Sequence, residues 1–166
     1  MSERRSAWLA GRSLLWVILL PGVVAGYIPW RFFHFRLDAA RFDALSILGL
    51  ACMIAGIALL AACVWEFASS GRGTLSPVDP PRHLVVRGLY RYVRNPMYLA
   101  VTAIVLGEAI IARSRDLVFY WAVFFLVANV FVIGYEEPNL RRRFGASFDE
   151  YARKVGRWIP RFPART

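Results

Sequence analysis

PMYLAVTAIVLGEAIIARSRDLVFYWAVFFLVANVFVIGY, residues 96–135, decides the fold of this 166-residue chain. It holds two apolar runs, Pro96–Ala112 and Leu117–Tyr135, separated only by Arg113, Ser114, Arg115 and Asp116. A membrane-crossing helix needs about 20 apolar residues, within a range of about 17–25. Both runs reach that range, and so short a connection makes them an antiparallel helical hairpin.

Two more runs lie before the hairpin. Ala44–Val64 is the cleanest. Leu14–Trp30 is interrupted by Pro21, Gly22, Gly26 and Pro29, so a kink is expected there. The expected fold is therefore all-α: one domain over 1–166, a polytopic membrane protein with about four transmembrane helices. Composition agrees. The chain is 58% hydrophobic and 19% charged, with a mean hydropathy of +0.45. Soluble domains average about 45–50% apolar and about 25% charged. A soluble enzyme and a disordered chain are both disfavoured.

The net charge is +10, carried almost wholly by arginine; Lys154 is the single lysine. With the N-terminus in the cytoplasm, sixteen of the 21 Lys and Arg residues fall on the cytoplasmic side and five on the other. The positive-inside rule then places both termini and the long 65–95 loop in the cytoplasm, with a multi-pass location in a bacterial inner membrane. Topology is the plain reading of most of these arginines. Nucleic acid is not an expected partner, because the basic residues are not interleaved with a polar, aromatic-studded surface. The basic N-terminus followed by an apolar run imitates a signal peptide, but no small-x-small site follows it, so it is read as a retained first span. Cys52 and Cys63 lie within one apolar run, there is no CxxC, and His34 and His83 are the only histidines. Neither a metal site nor a disulfide framework is expected.

Within the spans, Ala51, Ala55, Ala58 and Ala62 form a small-residue stripe suited to close helix packing. Glu108 is an intramembrane carboxylate and so a functional candidate. Its place near Arg113 and Arg115 favours a local ion pair. Asn129 is the polar residue of the fourth span. Glu66, just past the second, either lines a site or is a solvated helix end.

The polar segments carry the chemistry. Residues 71–98 read GRGTLSPVDPPRHLVVRGLYRYVRNPMY, too long and too ordered in composition for a plain linker. Asn95 is a good N-cap and Pro96 a good first helical residue. The third span therefore begins with free N–H groups that can hold an anion; an ordinary capped helix start is the plainer alternative. Beyond the fourth span, Glu136 and Glu137 sit beside Pro138, which removes a helical hydrogen bond and frees the Gly134 carbonyl, so a kink is expected. Two adjacent carboxylates there need facing cations or donors. The alternative is a solvated end with Arg141–Arg143 as local partners. In the tail, Leu140, Phe144, Phe148, Tyr151 and Val155 share one helical face. Gly145 ends one helix, and Ser147 with Glu150 reads as a capping box for the next. The expected tail is a broken, cytoplasmic amphipathic helix, lying on the membrane or folded over the loop.

LVVRGLYRYVRNPMY (84–98), followed by EEPNLRRRFGASFDEYARKVGRWIP (136–160), resembles the isoprenylcysteine carboxyl methyltransferase family, whose outline the membrane phospholipid methyltransferases share. The resemblance covers about residues 44–160. It implies an integral membrane methyltransferase using S-adenosylmethionine. The family's cofactor loop falls on Arg82, His83, Leu84, Val85 and Tyr90. Its Arg-His-Pro-x-Tyr element falls on Arg94, Asn95, Pro96, Met97 and Tyr98, and its acidic pair on Glu136 and Glu137. Three positions depart from the pattern. Asn95 replaces a histidine and Ala100 a glycine. Val132 stands where the eukaryotic carboxyl methyltransferases place an arginine near the substrate carboxylate. Val132, with Tyr151 and Arg157 of the tail, marks the substrate side.

The chemistry implied is in-line transfer from an already activated methyl, for which alignment and exclusion of water matter most. Glu136 or Glu137 suits the cofactor's ammonium or ribose hydroxyls, and Tyr90 or Tyr98 its sulfonium. Arg94, Tyr98 and Arg157 are the positioning candidates; no acid–base residue is assigned. The acceptor expected is a membrane lipid or small apolar nucleophile. A phospholipid N-methyltransferase, or a non-catalytic lipid-binding subunit, is the competing reading. No GxGxxG follows a strand, which excludes the soluble dinucleotide-type methyltransferase fold.

Overall fold

Proline shapes the first helix. The computed structural model describes residues 21–34, 43–70, 84 and 86–161. In it, helix α1 is π-helical over Val23–Tyr27 and α-helical over Ile28–Phe32. Pro29 has no N–H to offer the Ala25 carbonyl, and the preceding Ile28 N–H reaches back to the Val23 carbonyl instead. The remainder of the Leu14–Trp30 run lies outside the described residues.

Helix α2, Ala44–Ser70, is 27 residues long. Asp43 caps it, its Oδ1 accepting from the Ser46 N–H at 3.0 Å and the Ser46 hydroxyl at 2.9 Å. A short 3-10 turn, Gly88–Arg91, precedes helix α3, Pro96–Ala112. Arg113 takes the left-handed conformation that ends α3. Ser114 then caps helix α4, Arg115–Phe131, through its hydroxyl and the Leu117 N–H. The expected hairpin is thus α3 and α4. A π-helical turn, Val132–Glu136, continues α4 into helix α5, Glu137–Phe144. The Pro29 pattern repeats: Pro138 leaves the Gly134 carbonyl without its donor, and the Glu137 N–H reaches back to Val132. The kink expected at Pro138 is a widened turn. Helix α6, Ala146–Lys154, closes the order.

The described residues are mostly helical and hold no strand, only an isolated bridge between Val93 and Gly156. Two helical stretches, Ala44–Glu66 and Arg115–Phe144, are long and apolar enough to cross a membrane; Pro96–Ala112 is apolar but shorter. At about 1.5 Å per residue, α3 falls a little short of a roughly 30 Å hydrocarbon core. Four spans are therefore not established: two helices meet the full criterion among the described residues.

The α2–α3 contact corrects the alanine stripe. Ala51, Ala55 and Ala58 are exposed. The packed face carries Gly49, Gly56 and Cys63, each seven residues from the next. A Cβ on Gly49 would lie 2.8 Å from the Gly107 carbonyl oxygen, and one on Gly56 2.7 Å from that of Ala100. Backbone meets backbone there, which alanine does not permit. Glu108 also departs from expectation. It is 3% exposed, and its Oε2 has no partner among the described residues. Arg113, turned away by its left-handed backbone, pairs with Asp43 at the start of α2 instead. On the other side of the hairpin, the Tyr120 hydroxyl donates to the Val24 carbonyl at 2.8 Å and ties α1 to α4.

In the tail, Phe148, Tyr151 and Val155 form a buried cluster against Leu84, Leu140, Phe144 and Ala152. The apolar face read from the sequence is thus folded inward over the loop. Gly145 ends α5 as expected. The capping box does not form: Gly145 begins α6 with no side-chain cap, and Glu150 pairs with Lys154 at 2.6 Å.

Candidate functional site

Three separate segments meet where α3 begins and α4 passes into α5. The first is the loop before α3. Gly88 has φ +52°, and the Glu66 carboxylate occupies the space its side chain would fill. Glu66 Oε1 accepts from the Leu89 N–H at 2.8 Å, so Glu66 is a fastener between α2 and the 3-10 turn. The Tyr90 carbonyl accepts from the Tyr151 hydroxyl at 2.7 Å. Burial raises the phenols of both tyrosines above their ordinary range.

The second segment is the end of the tail. Val155–Arg161 runs beside Tyr92–Arg94 as a strap. The Arg94 N–H donates to the Gly156 carbonyl at 2.9 Å, and the Arg161 N–H to the Tyr92 carbonyl at 2.8 Å. Asn95 begins α3 but makes no side-chain cap. Its Nδ2 donates to the Arg157 carbonyl at 3.2 Å. Pro96 occupies the first turn as expected, but the cap residue is used to hold the strap.

The third segment carries the carboxylates. Glu137, 9% exposed, lies between two guanidiniums. Arg157 grips it through Nε–Oε1 at 2.7 Å and Nη2–Oε2 at 2.8 Å, and Arg94 Nη1 reaches Oε1 at 2.8 Å. Glu136 has a different environment. Its Oε1 accepts from the Tyr98 hydroxyl at 2.7 Å, and no cation pairs with it among the described residues. The partners expected nearby in sequence are engaged elsewhere: Arg141 pairs with Asp149 at 2.7 Å, and Arg142 donates to Asn139 at 2.6 Å. Burial pulls the Arg94 guanidinium below its ordinary value, against the pull of Glu137. Hydrogen bonding to Glu137 raises that of Arg157.

Trp158 extends this constellation toward the hairpin. Its indole N–H donates to Asn129 Oδ1 at 2.9 Å. Its ring stands edge-on to Tyr98, with centroids 6.3 Å apart, and 5.2 Å from Phe125.

Of the residues singled out in the sequence, Arg94, Asn95, Tyr98, Glu136, Glu137 and Arg157 are brought together. Pro96 and Met97 sit in the same first turn of α3. Leu84 packs in the tail cluster, and Tyr90 and Tyr151 meet each other. Val132, 1% exposed, begins the π turn as a packing residue. Arg82, His83 and Val85 lie outside the described residues. Sequence reasoning missed Trp158 and its use of Asn129; a tryptophan beside an arginine in a polar tail, and an asparagine in an apolar span, were the available signals.

S-adenosylmethionine carries a carboxylate, an ammonium and a sulfonium, and the residues present suit all three. Arg94 Nε is buried and has no partner among the described residues, a donor suited to a carboxylate. Glu136 is paired with no cation among the described residues, and Tyr98, bonded to it, offers its ring. No group of three or more metal-ligating side chains occurs among the described residues.

Residues 44–147 fit the family model described as phospholipid methyltransferase. No curated protein and no solved structure matches the chain.

Proposed function

The chain belongs to the phospholipid methyltransferase family, and on that premise we propose that it transfers a methyl group from S-adenosylmethionine to a membrane-dissolved lipid. The observation that carries this reading is the meeting of Arg94, Tyr98, Glu136, Glu137 and Arg157 at one end of an apolar helical hairpin. Adjacent carboxylates, one buried between two guanidiniums and one half-buried with no cation paired to it among the described residues, suit a zwitterionic ligand.

The bound cofactor supplies a methyl already activated by its sulfonium. The chain supplies position. Arg94 and the start of α3 hold the carboxylate end. Glu136 accepts from the ammonium or a ribose hydroxyl, and the Tyr98 ring faces the cation. Glu137 fixes both arginines and so sets the shape of the site. The strap excludes water, which strengthens each of these interactions.

The acceptor is the less constrained partner. No Lys or Arg lies between Asp116 and Leu140, and Val132 is a packing residue. Arg157, the one candidate to meet a carboxylate, is already bidentate to Glu137. A buried carboxylate without a charged partner costs several kcal/mol, roughly, in desolvation. A phospholipid amine is therefore favoured over an isoprenylcysteine carboxylate, with a lipid hydroxyl or a thiol also compatible. The test is label transfer from methyl-labelled cofactor, comparing extracted membrane lipids, small thiols and a farnesylcysteine analogue. Saturable labelling of the lipids is expected. Faster, saturable labelling of the farnesylcysteine carboxylate, surviving Arg157→Ala, would overturn the acceptor assignment.

A further inference from the structure

The strap sends two neighbouring side chains to different environments. Arg157 goes to the polar pair, and Trp158 goes to the hairpin. The path Glu136–Tyr98–Trp158–Asn129 is continuous: a hydrogen bond at 2.7 Å, a ring contact at 6.3 Å, a hydrogen bond at 2.9 Å. It runs from the half-buried Glu136 carboxylate to a polar residue inside an apolar helix. Along that helix Phe125 touches Trp158, while Leu126 and Val130 are exposed on the outer wall. Asn129 uses only its oxygen here; its two Nδ2 hydrogens have no partner among the described residues. An amide in hydrocarbon surroundings is costly unless its groups are bonded. Thr102, one turn beyond Tyr98 on α3, has a buried hydroxyl oxygen that likewise lacks a partner.

We propose that Trp158, anchored on Asn129, is the specificity-determining residue of the acceptor site. Its ring walls the side of the α3–α4 hairpin along which a lipid approaches the methyl donor. The remaining donors of Asn129 meet an oxygen of the lipid's glycerol–ester region. The acyl chains then lie against Leu126 and Val130, and the head group reaches Tyr98. The inference rests on the methyltransferase reading above and adds the acceptor's location to it. Trp158 selects a chain-bearing acceptor over a small soluble amine because its ring gives a lipid a wall to pack against. Asn129 acts through Trp158 as a positioning residue as well as directly.

The test uses the full chain in phosphatidylethanolamine-containing nanodiscs, with Trp158→Phe, Trp158→Ala and Asn129→Leu. Trp158→Phe keeps a ring and loses the N–H; Asn129→Leu keeps the volume and loses the acceptor. For long-chain phosphatidylethanolamine, KM is expected to rise about tenfold in Trp158→Ala and Asn129→Leu and by less in Trp158→Phe, one lost anchoring interaction being about that large. The dissociation constant for S-adenosylmethionine, measured by calorimetry, should stay within about twofold in all three, which also shows that they fold. A second readout is independent of turnover: phosphatidylethanolamine with a diazirine near the ester should label Phe125–Val130 or Trp158 in the wild type, and Trp158→Ala should lose the label. Labelling confined elsewhere, or an unchanged lipid KM in all three variants, overturns the proposal. Failure of the wild type to transfer methyl to any acceptor overturns the methyltransferase reading instead, and photolabelling still decides where the lipid binds.

Discussion

Glu136 and Glu137 are adjacent in sequence and opposite in use. Glu137 is held by two arginines, at separations of 43 and 20 residues. Removing its charge leaves guanidiniums without their counter-ion, a change that costs about 3–5 kcal/mol in a fully buried pair and less here, because Arg157 is part-exposed. Glu137→Gln is therefore expected to lower the thermal midpoint by several degrees as well as weaken cofactor binding. Glu136→Gln retains an oxygen for Tyr98, so its midpoint should hold. Its cofactor affinity should fall about tenfold, a lost charge-assisted hydrogen bond being about 1.5–3 kcal/mol. Thermal melting and calorimetric titration of the two variants check this split, and equal behaviour would contradict it. The sequence marks the pair itself clearly, because two carboxylates at a proline beside a span are unusual. It does not mark their partners, since Arg94 and Arg157 become neighbours only through the strap. The local arginines that spacing favours are spent on Asp149 and Asn139.

At the scale of elements, spans and caps were legible to different degrees. Pro96–Ala112 has the bounds its apolar run suggests, because Pro96 starts it and Arg113 ends it. The hairpin follows from the brevity of the 113–116 turn. The packing faces do not follow from composition. Alanine and glycine are both small, but only glycine lets the Gly49 and Gly107 backbones touch, and the alanine stripe is left outside. Caps were misread where a competing bond was stronger, as with Asn95 and the strap. Asp43 offers a direct check. Hydrogen bonds from Ser46, with Arg113 beside it, lower its carboxyl from 3.8 to about 2. The folded value lies below the unfolded one, so the unfolded chain binds more protons between those values and stability falls as pH drops through that window. The midpoint of the detergent-solubilised protein should fall from pH 4 to pH 2. In Asp43→Asn that part of the fall should vanish, and an unchanged pH dependence would show that the cap contributes nothing.

For the whole molecule, the charge pattern of the sequence bears on orientation: the reading with the N-terminus in the cytoplasm groups sixteen of the 21 Lys and Arg residues on one side. The termini, the 65–95 loop and the site are expected on the cytoplasmic face. In a background lacking Cys52 and Cys63, Ser76→Cys should resist a membrane-impermeant thiol reagent in intact cells and react in inverted vesicles. Labelling from outside would reverse the orientation. The polar cluster lies where the hairpin meets the strap, and the proposal gives it to a soluble methyl donor and the apolar flank beside it to a lipid. The most direct test of that arrangement is calorimetric titration of S-adenosylmethionine into the purified, solubilised wild type alongside Glu136→Gln. Saturable one-site binding by the wild type, about tenfold weaker in Glu136→Gln, is the expected result. Absence of binding by a folded wild type, or equal affinity in the two proteins, would contradict a cofactor site built on Arg94, Tyr98 and Glu136.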